Sequence, residues 1–151
     1  MLRTRLSDAL KAAMKEKDGR SVSTLRLILA ALKDRDIAAR SKGNQEGVSD
    51  DEVLGLLQSM IKQRRESIKL YEQGGRMELA QREAEEIGVI EEFLPEQMSH
   101  DEMAIVITRI IGEVGAESLK DMGKAMGALK EQYAGQMDFA KASAMVKERL
   151  G

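Results

Sequence analysis

Leu2, Leu6, Leu10 and Met14 recur every fourth residue, the spacing of a helix with one apolar face. That helix is predicted to stop at Asp18-Gly19, where glycine can close a helix C-terminus. A second helix follows at once, capped by Ser21 or Ser23. Val22, Leu25, Leu29 and Leu32 form its stripe, and Leu27, Ile28 and Ala31 widen the apolar face. A helix apolar on most sides is buried, so this one is expected to be the core of the N-terminal part. Residues 41–47 are polar with two glycines and read as a mobile loop. Ser49 and Glu52 then make a capping box, opening a long helix through Val53, Leu54, Leu57, Ile61, Ile68 and Tyr71 that Gly74-Gly75 ends.

The heptad register 54, 57, 61, 64, 68, 71 puts Arg64 in an apolar place. Either Arg64 pairs with a carboxylate of the next helix, where Glu83, Glu85 and Glu86 are available, or it is held for a ligand; the pair is the simpler account. That next helix is predicted over 77–93, with Ala80, Ala84, Ile87, Ile90 and Leu94 inward. The two-glycine connection makes the two an antiparallel hairpin. Pro95 pushes Leu94 out of helical conformation and marks the domain boundary.

Beyond it, Ser99 and Glu102 form a second capping box. The helix they open turns Met103, Val106, Ile110 and Val114 inward and stops at Gly115. Over 118–133, Leu119, Met122, Met126, Leu129 and Tyr133 follow at spacings of three, four, three and four. Ser118 is the expected cap, and Asp121 lies at the positive end of the helix dipole. Gly123 and Gly127 sit one turn apart in this helix, each costing roughly 1 kcal/mol relative to alanine. Two readings stay open: tight packing against a neighbouring helix, or close approach of a nucleic-acid backbone with Lys120, Lys124 and Lys130 around it. A turn at 134–136 leads to a last helix with Phe139, Ala142, Val146 and Leu150. The fold class is therefore all-α: an N-terminal antiparallel helical bundle with a long α-hairpin over 1–95, followed by a small three-helix bundle over 99–151. The smaller bundle is too small to be very stable unless it leans on the rest.

The absence of cysteine excludes a disulfide framework, thiolate catalysis and Cys-based metal sites. No secretory signal is visible, and no run approaches the ~20 apolar residues that span a bilayer, so the expected location is cytoplasmic with no membrane partner. The net charge of −2 is uneven: residues 1–42 carry eleven basic against five acidic side chains, about +6, leaving about −8 on the remainder. A basic arm on an acidic body points weakly to polyanions, against the plainer reading of solvated helix faces.

Catalytic chemistry finds little support. The single histidine, His100, has neither a cysteine nor a second histidine to work with. Glu85, Glu86, Glu91 and Glu92 lack the Glu-x-x-His motif of helical di-metal sites, and no phosphate-gripping glycine loop occurs. No catalytic residue, cofactor or metal is expected.

The run LKDMGKAMGALKEQYAG, preceded by VGAES, resembles the C-terminal signature of the YqeY family, a Lys-Asp-Met-Gly-Lys-x-Met-Gly run after a Val-Gly-Ala turn. IKQRRESIKLYEQGGR, EIGVIEEFLPEQMS and the helix over 24–32 resemble it too, so the likeness covers nearly the whole chain. Many relatives place Asp-Gly before the last helix, where this chain has Gly135-Gln136-Met137-Asp138-Phe139. The family shares its C-terminal half with the tail of GatB, the tRNA-binding subunit of the glutamine-dependent amidotransferase that converts misacylated Glu-tRNA or Asp-tRNA. The resemblance thus implies a tRNA-binding or amidotransferase-related module without its own catalytic site. A carbon–nitrogen ligase label with glutamine as amido-N-donor would describe the complex. The partners implied are tRNA or a translation-related protein. The candidate RNA contacts are Lys120, Lys124, Lys130, Lys141, Lys147 and the Lys62, Arg64, Arg65 patch, with Gly123 and Gly127 as close-approach positions. The alternative is a helical adaptor that binds protein and no RNA, favoured by the acidic balance and the scarcity of aromatic residues for base stacking.

Overall fold

The computed structural model describes all 151 residues as helices joined by short turns, with no strand. The chain divides into two compact units, Met1–Leu94 and Pro95–Gly151. No helix is long and apolar enough to cross a membrane.

In the first unit α1 (Leu2–Glu16) packs on α2 (Gly19–Ser41), and α3 (Asp50–Gln73) packs along α4 (Met77–Glu91), which also lies against α2. Their shared core includes Leu6, Leu25, Ile28, Leu32, Val53, Leu57, Ile61, Ile90 and Phe93. The α1–α2 junction differs from the expectation. Lys17, at φ 58°, takes the left-handed position that closes α1, which frees Asp18 to cap α2. The Asp18 carboxylate accepts the Ser21 N–H at 3.2 Å and the Ser21 hydroxyl at 2.7 Å, so Gly19 begins a helix and neither serine caps it. Buried Thr24 satisfies its hydroxyl on the Arg20 carbonyl at 2.8 Å.

Several stripes are rotated from their predicted positions. Met14, Leu27 and Ala84 face solvent, whereas Ala13, Leu56, Met60 and Phe93 are buried. The Ser49–Glu52 capping box forms, and α3 gives way to a turn at Gly74-Gly75. The segment 41–47, read from sequence as a mobile loop, has its own hydrogen bonds, as does Val48 after it. Asn44 bridges to the Glu46 N–H and the Gly47 carbonyl, and the Val48 N–H donates to Asp36 at 3.0 Å.

In the second unit α5 (His100–Val114), α6 (Met122–Gln132) and α7 (Phe139–Leu150) pack against one another. The Ser99–Glu102 box opens α5, and Gly115, at φ 67°, closes it. The first turn of the predicted glycine-bearing helix is instead a separate 3-10 turn, Leu119–Asp121, and Leu119 is exposed. Ile107 joins Met103 and Ile110 in the core, a position the predicted stripe passed over. The loop before α7 is part of the packing: Met137 is fully buried, the Met98 N–H donates to the Gln136 carbonyl at 2.8 Å, and the Gln97 amide donates to the Gly135 carbonyl.

Candidate nucleic-acid interface

Helix α6 is buried through Ala125 and Leu129. At 3.6 residues per turn, Gly123 and Gly127 fall nearly opposite those two, on the solvent side. A Cβ added to either glycine would meet no atom within 4 Å, so tight packing against a neighbouring helix is not what these glycines serve. Gly55, Gly88 and Gly112 are equally open, but each stands alone in its helix. Only Gly123 and Gly127, one turn apart, leave a continuous bare strip of backbone.

Lys120 and Lys124 lie along this strip and Lys130 at its edge, all exposed. The seven ion pairs of the molecule are all made by arginine, so no lysine has a carboxylate within 4 Å. Two acids adjoin these lysines in sequence: Glu131, exposed beside Lys130, and Asp121, which accepts the Glu117 N–H at 2.9 Å and the Ser118 N–H at 3.4 Å. Those bonds, the Glu117 N–H first, hold the Asp121 carboxyl below the ordinary range, aided by Lys120 and Lys124 and opposed by desolvation. At the end of α7 the Gly151 N–H donates to the Lys147 carbonyl, and a Cβ on Gly151 would lie 4.0 Å from Leu119. The last turn of α7, carrying Lys147 and Arg149, therefore sits beside the turn that carries Lys120. Lys141 lies roughly 120° around α7 from Lys147 and does not share its face.

The candidate cations of the first unit are differently placed. Arg64 is mostly buried, 2.9 Å from Glu86 and 3.9 Å from Glu83, and also donates to the Met60 carbonyl. The structure thus shows the intramolecular pair. Burial, followed by the neighbouring Glu86, raises the Glu83 carboxyl, while Arg64 lowers it. Arg65 lies 3.6 Å from Glu91, which leaves Lys62 as the one member of that trio without a carboxylate partner. His100 is the exposed first residue of α5, and no group of three or more His, Cys, Asp or Glu is arranged to hold a metal.

Sequence reasoning missed the clamp between Arg3 and Asp36. The guanidinium grips both carboxylate oxygens, one at 2.7 Å, and donates to the Val48 carbonyl at 2.8 Å. No spacing signals it, because the partners are in different helices. Two arginine–ring contacts, Arg5 over Phe93 at 5.5 Å and Arg109 over Tyr133 at 5.7 Å, were equally invisible.

Residues 3–150 match the family profile described as Yqey-like protein. An uncharacterized protein of Schizosaccharomyces pombe is 29% identical over 100 residues, 66% of this chain and 74% of that protein. The protein named altered inheritance of mitochondria protein 41, mitochondrial, of Lachancea thermotolerans is 34% identical over 89 residues, 59% of this chain and 46% of that protein. Its namesake in Kluyveromyces lactis is 32% identical over 88 residues, 58% of this chain and 45% of that protein. The chain thus spans under half the length of these two mitochondrial relatives.

Proposed function

The chain belongs to the YqeY family, and from that premise we propose that its C-terminal unit binds the phosphate backbone of RNA, with tRNA as the expected ligand. The observation that carries this reading is the open strip at Gly123 and Gly127, opposite the buried face of α6 and flanked by lysines that form no ion pair. A bare strip lets a bulky backbone come close, and Lys120, Lys124, Lys130 and Lys147 supply the charge. The scarcity of exposed aromatic side chains suits contact with phosphates over stacking on bases. No catalytic step is assigned to the chain. Its link to the glutamine-dependent amidotransferase is the resemblance of its tail, and holding tRNA is the role that resemblance supplies. The names of the mitochondrial relatives widen the proposed location from the cytoplasm to any compartment containing tRNA, the mitochondrion included. A second reading, a protein adaptor, draws on Ile105 and Leu119 of the same unit, whose side chains stand largely in solvent.

Fluorescence anisotropy with total tRNA, titrated at low and near-physiological salt, separates the two. Phosphate contacts make the logarithm of affinity fall with the logarithm of salt by about 0.7–0.9 per contact. Replacing Lys120 and Lys124 together by alanine should weaken binding and flatten that slope by about 1.4–1.8. Absence of binding at low salt, or an unchanged slope in the double variant, removes the RNA reading.

A further inference from the structure

The basic character of the first 42 residues is not used by the RNA surface, and the fold gathers part of it into one place. A groove of about 320 Å³ runs between α1 and α2, at the small end of the range for ligand pockets. Leu29, Leu32 and Ile37 form its apolar part, and Ile37 is half exposed. Arg3, Ser7, Lys33 and Arg40 supply its polar rim. Asp36 is the one carboxylate lining it, and Asp36 is already engaged: the Arg3 fork holds both oxygens, and the Val48 N–H shares one of them. Lys33 and Arg40 have no ion pair, and the lining side chains together carry a net charge of about +2. On α2 the residues alternate usefully along one stripe, with Ile37 one turn from both Lys33 and Arg40. An anion held by the two cations would lie beside an isoleucine that gains from being covered.

We propose that this groove binds a small amphiphilic anion, a phosphate or carboxylate head joined to a short apolar body. The charge selects the head, and Ile37 with Leu29 selects against a bare ion. Ser7, whose hydroxyl has no partner within the protein, offers a further hydrogen bond to the head.

The test is a two-dimensional NMR titration of the intact chain with octyl phosphate below its micelle concentration. Inorganic phosphate and octyl glucoside serve as controls for head and tail. Saturable shifts at the amides of Ser7, Lys33, Ile37 and Arg40 are expected. Binding should be at least tenfold weaker in the Lys33→Gln/Arg40→Gln double variant and several-fold weaker in Ile37→Ser. All three side chains are solvent-facing, so the variants fold. Failure of octyl phosphate to saturate, shifts that survive the double variant, or inorganic phosphate binding as tightly as octyl phosphate would each overturn the assignment. Co-sedimentation with phosphatidylglycerol vesicles, lost in the double variant, would support it and identify a lipid headgroup as the source. Octyl phosphate binding without vesicle binding would support it and identify a free amphiphile.

Discussion

Replacing Gly127 with alanine should stabilise the protein and weaken its hold on RNA, and the combination of signs is what matters. Gly127 lies inside α6 with helical residues on both sides, its φ is not positive, and a new Cβ would touch nothing within 4 Å. The full helix-propensity difference of about 0.8–1.0 kcal/mol therefore applies, with no clash to subtract from it. Gly123 is the second residue of α6, where fewer helical bonds depend on it, so about half that value is expected. The double variant gains roughly 1.2–1.5 kcal/mol, about a tenfold change in the opening equilibrium of the helix. Native-state amide exchange at Leu129, fully buried on the opposite side of α6, should slow by about that factor. The added methyl groups stand where a phosphate backbone would approach, so anisotropy with tRNA should show weaker binding by the more stable protein. A loss of stability would refute the open-strip geometry. A gain in stability with tRNA affinity unchanged would refute its use.

Asp36→Asn should cost on the order of 1 kcal/mol at neutral pH, an exposed-pair value raised by the Val48 N–H bond. Arg3, then Val48, lowers the Asp36 carboxyl from 3.8 to about 2, so its contribution is full above pH ~4 and lost as pH falls through about 2. Urea midpoints of the two proteins should therefore converge only in strong acid, and convergence already at pH 5 would contradict the clamp. Arg64→Ala strands Glu83 and Glu86 near each other and half-buried, for a loss of roughly 2–3 kcal/mol, between exposed and buried pair values. That variant should keep the salt slope of tRNA binding; a flatter slope would make Arg64 a contact. Ser99→Ala removes the α5 cap and should cost about 1 kcal/mol, visible as faster amide exchange in the first turn of α5 and absent if the capping box contributes nothing.

What was legible in the sequence was whatever a few neighbouring residues decide. Both capping boxes, the glycine break after α3 and the left-handed Gly115 are local choices, and each stands where its residues put it. The α1–α2 junction failed by the same logic, because Asp18-Gly19 can end one helix or begin the next. Lys17 settled it by accepting a left-handed conformation that rules of thumb reserve for glycine or asparagine. The α3 stripe widened to include Leu56 and Met60 because α3 meets α1 and α2 as well as α4, and a two-helix seam is too narrow a template for that. At the candidate site the lysine positions could be read, but their freedom could not, since pairing depends on helices distant in sequence. The division of labour that emerged has a physical basis. Arginine's planar fork grips a carboxylate with little further loss of freedom, so it takes the internal pairs, while the lysine ammonium stays hydrated at the surface. The strip at Gly123 and Gly127 therefore combines two things that weaken the isolated helix or leave it unaided: absent side chains and unmatched positive charge. Neither has an ion pair or a packing contact inside the C-terminal unit, and on the proposed reading an anionic backbone from outside the chain would answer both at once.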